Sequence, residues 1–151
     1  MLTKNRKVDN NMSKIAVVYW SGTGNTEAMA KAVADGVTGK GAEATVLTPD
    51  QFGADAMDTY DAVAFGCPSM GDEELEGGEF GPMFDECEPK LRGKKIALFG
   101  SYGWGDGEWM RKWEETCKNA GANLACDCVI CNSAPGADAV EECKALGAAL
   151  V

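Results

Sequence analysis

The chain has 151 residues, 45% of them apolar, a length that suits one domain burying about two-thirds of its unfolded surface. With 24 acidic against 14 basic residues its net charge is −10, the opposite of the cationic face that nucleic-acid binding requires. It has no histidine, which removes the default acid–base group and the commonest metal ligand and weighs against a hydrolase or a metalloenzyme.

Residues 1–12, "MLTKNRKVDNNM", are polar with no hydrophobic centre, unlike a secretory signal. They are expected to form a flexible leader, with residues 13–151 as the folded domain. "KIAVVYW" then reads as a first strand, and from Thr26 the apolar positions Met29, Ala32, Val33, Gly36 and Val37 trace a helical stripe. "EATVLT" is a second strand and "DAVAFG" a third; an acidic loop and a short helix precede the fourth, "KKIALFG". Trp109, Met110, Trp113, Cys117 and Ala120 mark a helix that stops at Gly121. "NLACDCVI" reads as an unbroken fifth strand whose Asp127 suits a sheet edge, and Val140, Cys143, Gly147 and Leu150 trace a last helix. Apolar runs separated by helices predict an α/β, doubly wound, five-stranded parallel sheet in a single domain. No run approaches the roughly 20 residues of a membrane span.

The seven cysteines, an odd number with no signal peptide, predict reduced thiols in the cytoplasm rather than a disulfide framework. Strand alternation would put Cys126 and Cys128 on one face and Cys131 on the other. Such ligands do not converge on a metal, so these thiols are read as small buried apolar groups.

In doubly wound sheets ligands bind beyond the carboxyl ends of the strands, so the loops after strands one, three and four matter most. The first, "SGTGNT", joins a strand to a helix, where unpaired N–H groups and the positive dipole end favour an anion. It lacks the Gly-Lys-Ser/Thr of a Walker loop, and Glu27 stands where a dinucleotide loop needs its third glycine. What remains is a cradle without a cation: the hydroxyls of Ser21, Thr23 and Thr26, the Asn25 amide, and the backbone at Gly22 and Gly24. That set suits a phosphate monoester; the alternative is a helix start capped by Thr or Asn. The loop after strand three carries eight carboxylates from Asp72 to Glu88 and no base. In the loop after strand four, "SYGWGDGEW", Trp104 belongs to no amphipathic stripe and is read as a stacking platform for a planar ligand.

Taken together, "SGTGNT", "PSMGDEE" and "SYGWGDGEW" resemble the flavodoxin family, in particular the short-chain type of anaerobic bacteria, over residues 13–151. The resemblance implies strand order 2-1-3-4-5 and FMN as the cofactor. Its phosphate would sit on Ser21, Gly22, Thr23, Gly24, Asn25 and Thr26, with Trp20 and Ser101 beside the ribityl–phosphate region. Met70 and Trp104 would sandwich the ring and Glu73 would accept its N3–H. Pro68, Ser69, Gly71, Asp72, Tyr102, Gly103 and Gly105 would complete the contacts. Met70, Gly71 and Asp72 would tune the redox steps, the Met70–Gly71 peptide turning its carbonyl toward N5–H of the semiquinone and the acidic loop disfavouring the anionic hydroquinone. The function implied is that of a low-potential one-electron carrier, not an enzyme, shuttling between semiquinone and hydroquinone. It would be a monomer without a metal, docking through an acidic rim to basic patches on oxidoreductases, reductases or hydrogenases. A small flavin-dependent quinone or azo reductase is the alternative; it would need a substrate pocket on the ring face that Trp104 covers. A phosphoryl receiver would need aspartates where Trp20-Ser21 and Gly66-Cys67 stand.

Overall fold

A computed structural model describes residues 12–151; the expected leader, apart from Met12, lies outside the described residues. Strand β1 (Lys14–Tyr19) leads into helix α1 (Asn25–Gly39) and returns as β2 (Glu43–Leu47). A 3-10 turn (Pro49–Gln51) and the one-turn helix α2 (Ala54–Met57) precede β3 (Ala62–Gly66). Helix α3 (Phe80–Cys87) follows a long loop and runs into a 3-10 turn (Glu88–Lys90), then β4 (Lys95–Tyr102) and α4 (Glu108–Asn119). The remaining elements are β5 (Asn123–Leu124), β6 (Val129–Asn132) and α5 (Ala137–Ala149).

Among the described residues the strands of the sheet pair in parallel, in the order β2-β1-β3-β4 with β5 and β6 both against β4, as two segments of one edge strand. The expected order 2-1-3-4-5 is therefore the observed one. Register brings the carboxyl ends together: Tyr19 pairs with Gly66, Gly66 with Phe99, and Tyr102 with Asn132. One rim of the sheet thus collects the loops after β1, β3, β4 and β6.

Because successive side chains point to opposite faces, each central strand feeds two cores. Val18, Phe65 and Leu98 pack with Phe80, Phe84, Trp109 and Trp113 from α3 and α4. Here Phe65 and Phe84 meet edge to face at 5.1 Å, a favourable geometry for two ring quadrupoles. The other face carries the small residues Ala62, Ala64 and Ala97 beneath α1 and α5. Those helices cross closely: a Cβ on Gly36 would collide with the Lys144 carbonyl, and one on Gly147 with that of Val33.

Two expectations change. The fifth strand is not continuous: after Ala125 N donates to the Ile96 carbonyl (2.9 Å), the chain leaves the ladder and rejoins it at Val129. Leaving the ladder resets the pleat, so Cys126 and Cys131 pack against the α1/α5 core while Cys128 packs against the α3/α4 core. Cys126 and Cys128 do not share a face. All three are half-buried, and burial pushes each thiol up, as it does for the buried Cys67, Cys87, Cys117 and Cys143. No helix among the described residues is long and apolar enough to cross a membrane.

Candidate cofactor site

A cavity of about 250 Å³ opens at the rim where the strand ends meet. The β1 loop supplies Trp20, Ser21, Gly22, Thr23, Asn25 and Thr26; the β3 loop Pro68, Ser69 and Met70; the end of β4 Ser101, Tyr102 and Gly103. Twelve of the eighteen cofactor-binding positions expected from sequence therefore line one cavity, from three segments far apart in the chain. The lining contains no lysine, arginine, aspartate or glutamate.

The first loop shows why its residues are small. Ser21 Oγ accepts the Gly24 N–H at 3.0 Å, and Gly24 stands at the mouth of α1 with φ 98°, a conformation that costs glycine nothing. No side chain caps the helix, so the Thr-or-Asn cap weighed as an alternative is not formed. The leading N–H groups of α1 lack the intrahelical partners that later turns enjoy, and an acceptor at this rim would satisfy them. Thr26, buried in the lining, accepts the Ser101 N–H at 3.3 Å and so keeps its own hydrogen free. These donors fit a phosphate monoester, which needs several hydrogen bonds and partial positive charge but no cation. Trp20 lies over Gly22, and its indole Nε1 donates to Glu79 at 2.7 Å, which holds the ring as a side wall.

The β3 loop is fixed from below. Trp109, expected in the core, is buried there and also donates its Nε1 to the Cys67 carbonyl at 3.1 Å. Cys67 accepts the Glu76 N–H at 3.3 Å; burial pushes its thiol up to about 12, so it is a packing group. Ser69 N–H donates to the Ser101 carbonyl at 3.0 Å, tying this loop to the next. Met70 and Glu74 exchange two backbone hydrogen bonds of 2.8 Å, closing a narrow turn in which Gly71 has φ 51° and Glu73 φ 59°. Met70 and Trp104 are exposed on the rim, Trp104 at 61%.

Gly24, Gly71, Asp72, Glu73, Trp104 and Gly105 do not line the cavity. The Glu73 carboxylate accepts the Glu108 N–H at 3.0 Å and rests against Gly105, bridging the turn to the start of α4. Glu73, Asp106 and Glu108 offer oxygens within 4.8 Å of one another. Arg111 engages Asp106 at 2.9 Å and Lys112 engages Glu108 at 3.3 Å, so protein donors already occupy all three of these carboxylates.

Some carboxylates of the acidic segment accept hydrogen bonds from the chain's own N–H groups. Glu76 accepts the N–H groups of Gly78 (2.7 Å), Glu79 (2.8 Å) and Phe80 (2.7 Å), closing the approach to α3. Partial burial pushes its carboxyl up, but the N–H groups of Phe80, Glu79 and Gly78 outweigh that and hold it below the usual carboxylate range. Glu86 accepts the Ala54 N–H at 3.0 Å. The thirteenth lining residue, Ser133, was not anticipated; it lies just beyond β6, at the same rim as the other three loops.

The flavodoxin family model matches residues 17–147. The chain is 44% identical to a flavodoxin from Megasphaera elsdenii over 135 residues, covering 89% of this chain and 96% of that one. It is 42% identical to a flavodoxin from Clostridium beijerinckii over 131 residues, covering 87% and 94%. The solution structure of two-electron reduced Megasphaera elsdenii flavodoxin superposes with a TM-score of 0.83 over 90% of this chain and 97% of that one, at 44% identity. A flavodoxin from the domain Archaea gives 0.79 over 91% and 95%, at 28% identity.

Proposed function

This chain belongs to the flavodoxin family, FMN-binding electron carriers rather than enzymes, and on that premise we propose how it works as a short-chain, low-potential member. FMN binds with its phosphate on Ser21–Thr26 and its ring at the rim between Met70 and Trp104. The protein cycles between the one-electron- and two-electron-reduced forms of that cofactor, as a monomer in the cytoplasm. The observation that carries this reading is the uncapped start of α1, whose donors and hydroxyls line a cavity with no cation, beside an exposed Met70 and Trp104.

Bound FMN supplies one- and two-electron transfer at its ring. The chain's own residues bind and bias it. The first turn of α1 and the hydroxyls of Ser21, Thr23 and Thr26 hold a dianion without neutralising it, so negative charge persists at the rim. Asp72, Glu73, Glu74 and Glu79 add to it. Two unit charges about 10 Å apart at an effective dielectric constant of ~20 repel by roughly 1–2 kcal/mol before salt screening, and several together disfavour a further electron. Glu76 contributes least, because three backbone N–H groups surround its carboxylate. The Met70–Gly71 peptide lies in a turn whose left-handed φ at Gly71 lets it reorient a carbonyl toward a new N–H donor.

Docking to redox partners uses the outward carboxylates, Asp72 and Glu74 foremost, against basic patches. Stepwise anaerobic reduction of the purified protein followed by absorbance tests the carrier reading. A yellow form passing through a blue, one-electron-reduced form supports it; direct two-electron bleaching refutes the proposed cycle. Electron transfer to a basic acceptor should slow as salt rises, and a salt-independent rate refutes the acidic-rim docking.

A further inference from the structure

The hydroxyls of Thr26 and Ser101 are both buried, both line the cavity, and are hydrogen-bonded in opposite senses. Thr26 Oγ1 faces a backbone N–H, that of Ser101, which can only donate; Thr26 is therefore the acceptor, and its own hydrogen is left over. Ser101 Oγ faces a backbone carbonyl, that of Ser133, at 2.7 Å, which can only accept. The Ser101 hydrogen is spent there, leaving its lone pairs as the free capacity. Among the described residues no other acceptor for the Thr26 hydrogen is found.

Ser133 holds that carbonyl in place at a conformational cost. Its φ is 61°, in the left-handed region that side chains rarely adopt. Its N–H donates to the Tyr102 carbonyl at 2.8 Å, and its own carbonyl also accepts the Cys131 thiol at 3.5 Å. That thiol also lies 3.6 Å from Met29 Sδ, so the Ser101 hydroxyl is the carbonyl's firm partner, and the Ser133 N–H pins the strand ends of β4 and β6 across the rim.

We propose that Ser133 is a positioning residue that makes Ser101 an obligate hydrogen-bond acceptor, so that the cavity pairs a donor at Thr26 with an acceptor at Ser101 and selects a ligand carrying a hydroxyl next to its phosphate chain. The inference rests on the FMN reading, where the ribityl chain is such a polyol: phosphate oxygens only accept, and the ribityl hydroxyls can donate. A phosphate oxygen brought to Ser101 would meet lone pairs, so the acceptor end rejects a shifted phosphate.

The test is a double-mutant cycle on FMN affinity, read by quenching of flavin fluorescence. Ser133→Val cannot keep the left-handed backbone cheaply and frees the Ser101 hydrogen; the dissociation constant should rise about three- to tenfold, the range of one hydrogen bond. Ser133→Gly keeps both the conformation and the carbonyl, so it should recover most of the affinity that Ser133→Val loses. In a Ser101→Ala background the valine change should have little further effect. With 2′-, 3′- and 4′-deoxyribityl FMN, the valine penalty should vanish for one of the three analogues. Binding of inorganic phosphate to the apoprotein, measured by calorimetry, should be equal in native and Ser133→Val proteins. Additive losses in the cycle, or the full penalty with all three analogues, overturn the proposal while the FMN reading stands. A native protein that binds phosphate but not FMN overturns both.

Discussion

Replacing Glu76 with glutamine should destabilise the apoprotein by about 2 kcal/mol at pH 7, mostly through one group of contacts. In the native chain Oε2 accepts the Gly78 N–H and Oε1 accepts those of Glu79 and Phe80. A glutamine keeps one oxygen, so at best it retains the Oε1 pair and turns an amide N–H against the Gly78 N–H. Losing one hydrogen bond to a charged acceptor costs about 1.5–3 kcal/mol, and losing the negative charge at a helix start costs a further ~0.3–1 kcal/mol before solvent screening reduces both. Urea unfolding followed by tryptophan fluorescence reads the result. With a slope of about 2 kcal/mol per molar, the midpoint should fall by roughly 1 M. The pH dependence has a definite sign. Because the folded-state carboxyl is held below its ordinary 4.5, the contribution is complete above that value and is lost as pH falls through the lower, folded value. The gap between native and Glu76→Gln proteins should therefore be full at pH 7 and narrow toward pH 3. Equal midpoints at pH 7, or a gap that stays constant into acid, would refute the reasoning.

Gly71→Thr should lower the yield of the one-electron-reduced form during reductive titration while FMN still binds. A Cβ there meets nothing within 4 Å, so the penalty comes from the left-handed backbone alone; an unchanged yield would refute a role for the Met70–Gly71 peptide. Trp104→Ala should leave urea stability within about 0.5 kcal/mol, since the ring is largely exposed, yet weaken FMN binding about two- to twelvefold if the ring stacks on it. Gly147→Ala should lower stability by about 1–3 kcal/mol in the same unfolding assay, because the collision with the Val33 carbonyl outweighs the ~1 kcal/mol gain in helix propensity. Cys67 and Cys143, whose thiols burial pushes up to about 12, should resist thiol reagents at pH 8 until the protein unfolds.

Much of this could be read from the amino-acid sequence because the signals were periodic or local. Apolar runs such as "AVAFG" can be buried on both faces only in a covered sheet, and the hydroxyl loop after β1 announces itself by composition. What escaped depends on direction in space. Glu76 and Glu79 look like their acidic neighbours, yet one closes the approach to α3 and the other holds the Trp20 indole. Ser133 is a single serine in "CNSAPG", with no spacing to mark it; only the place of that turn, at the carboxyl end of the edge strand, could have drawn attention to it. The break between β5 and β6 is likewise silent, because "ACDC" fits a strand or a loop equally well.

The close crossing of α1 and α5 also bears on the order in which the molecule is made. The helix whose first turn faces the cavity rests on a helix encoded more than ninety residues downstream, glycine against backbone at both Gly36 and Gly147. A ribosome-bound chain therefore presents the hydroxyl loop early but cannot brace it until α5 has emerged and docked.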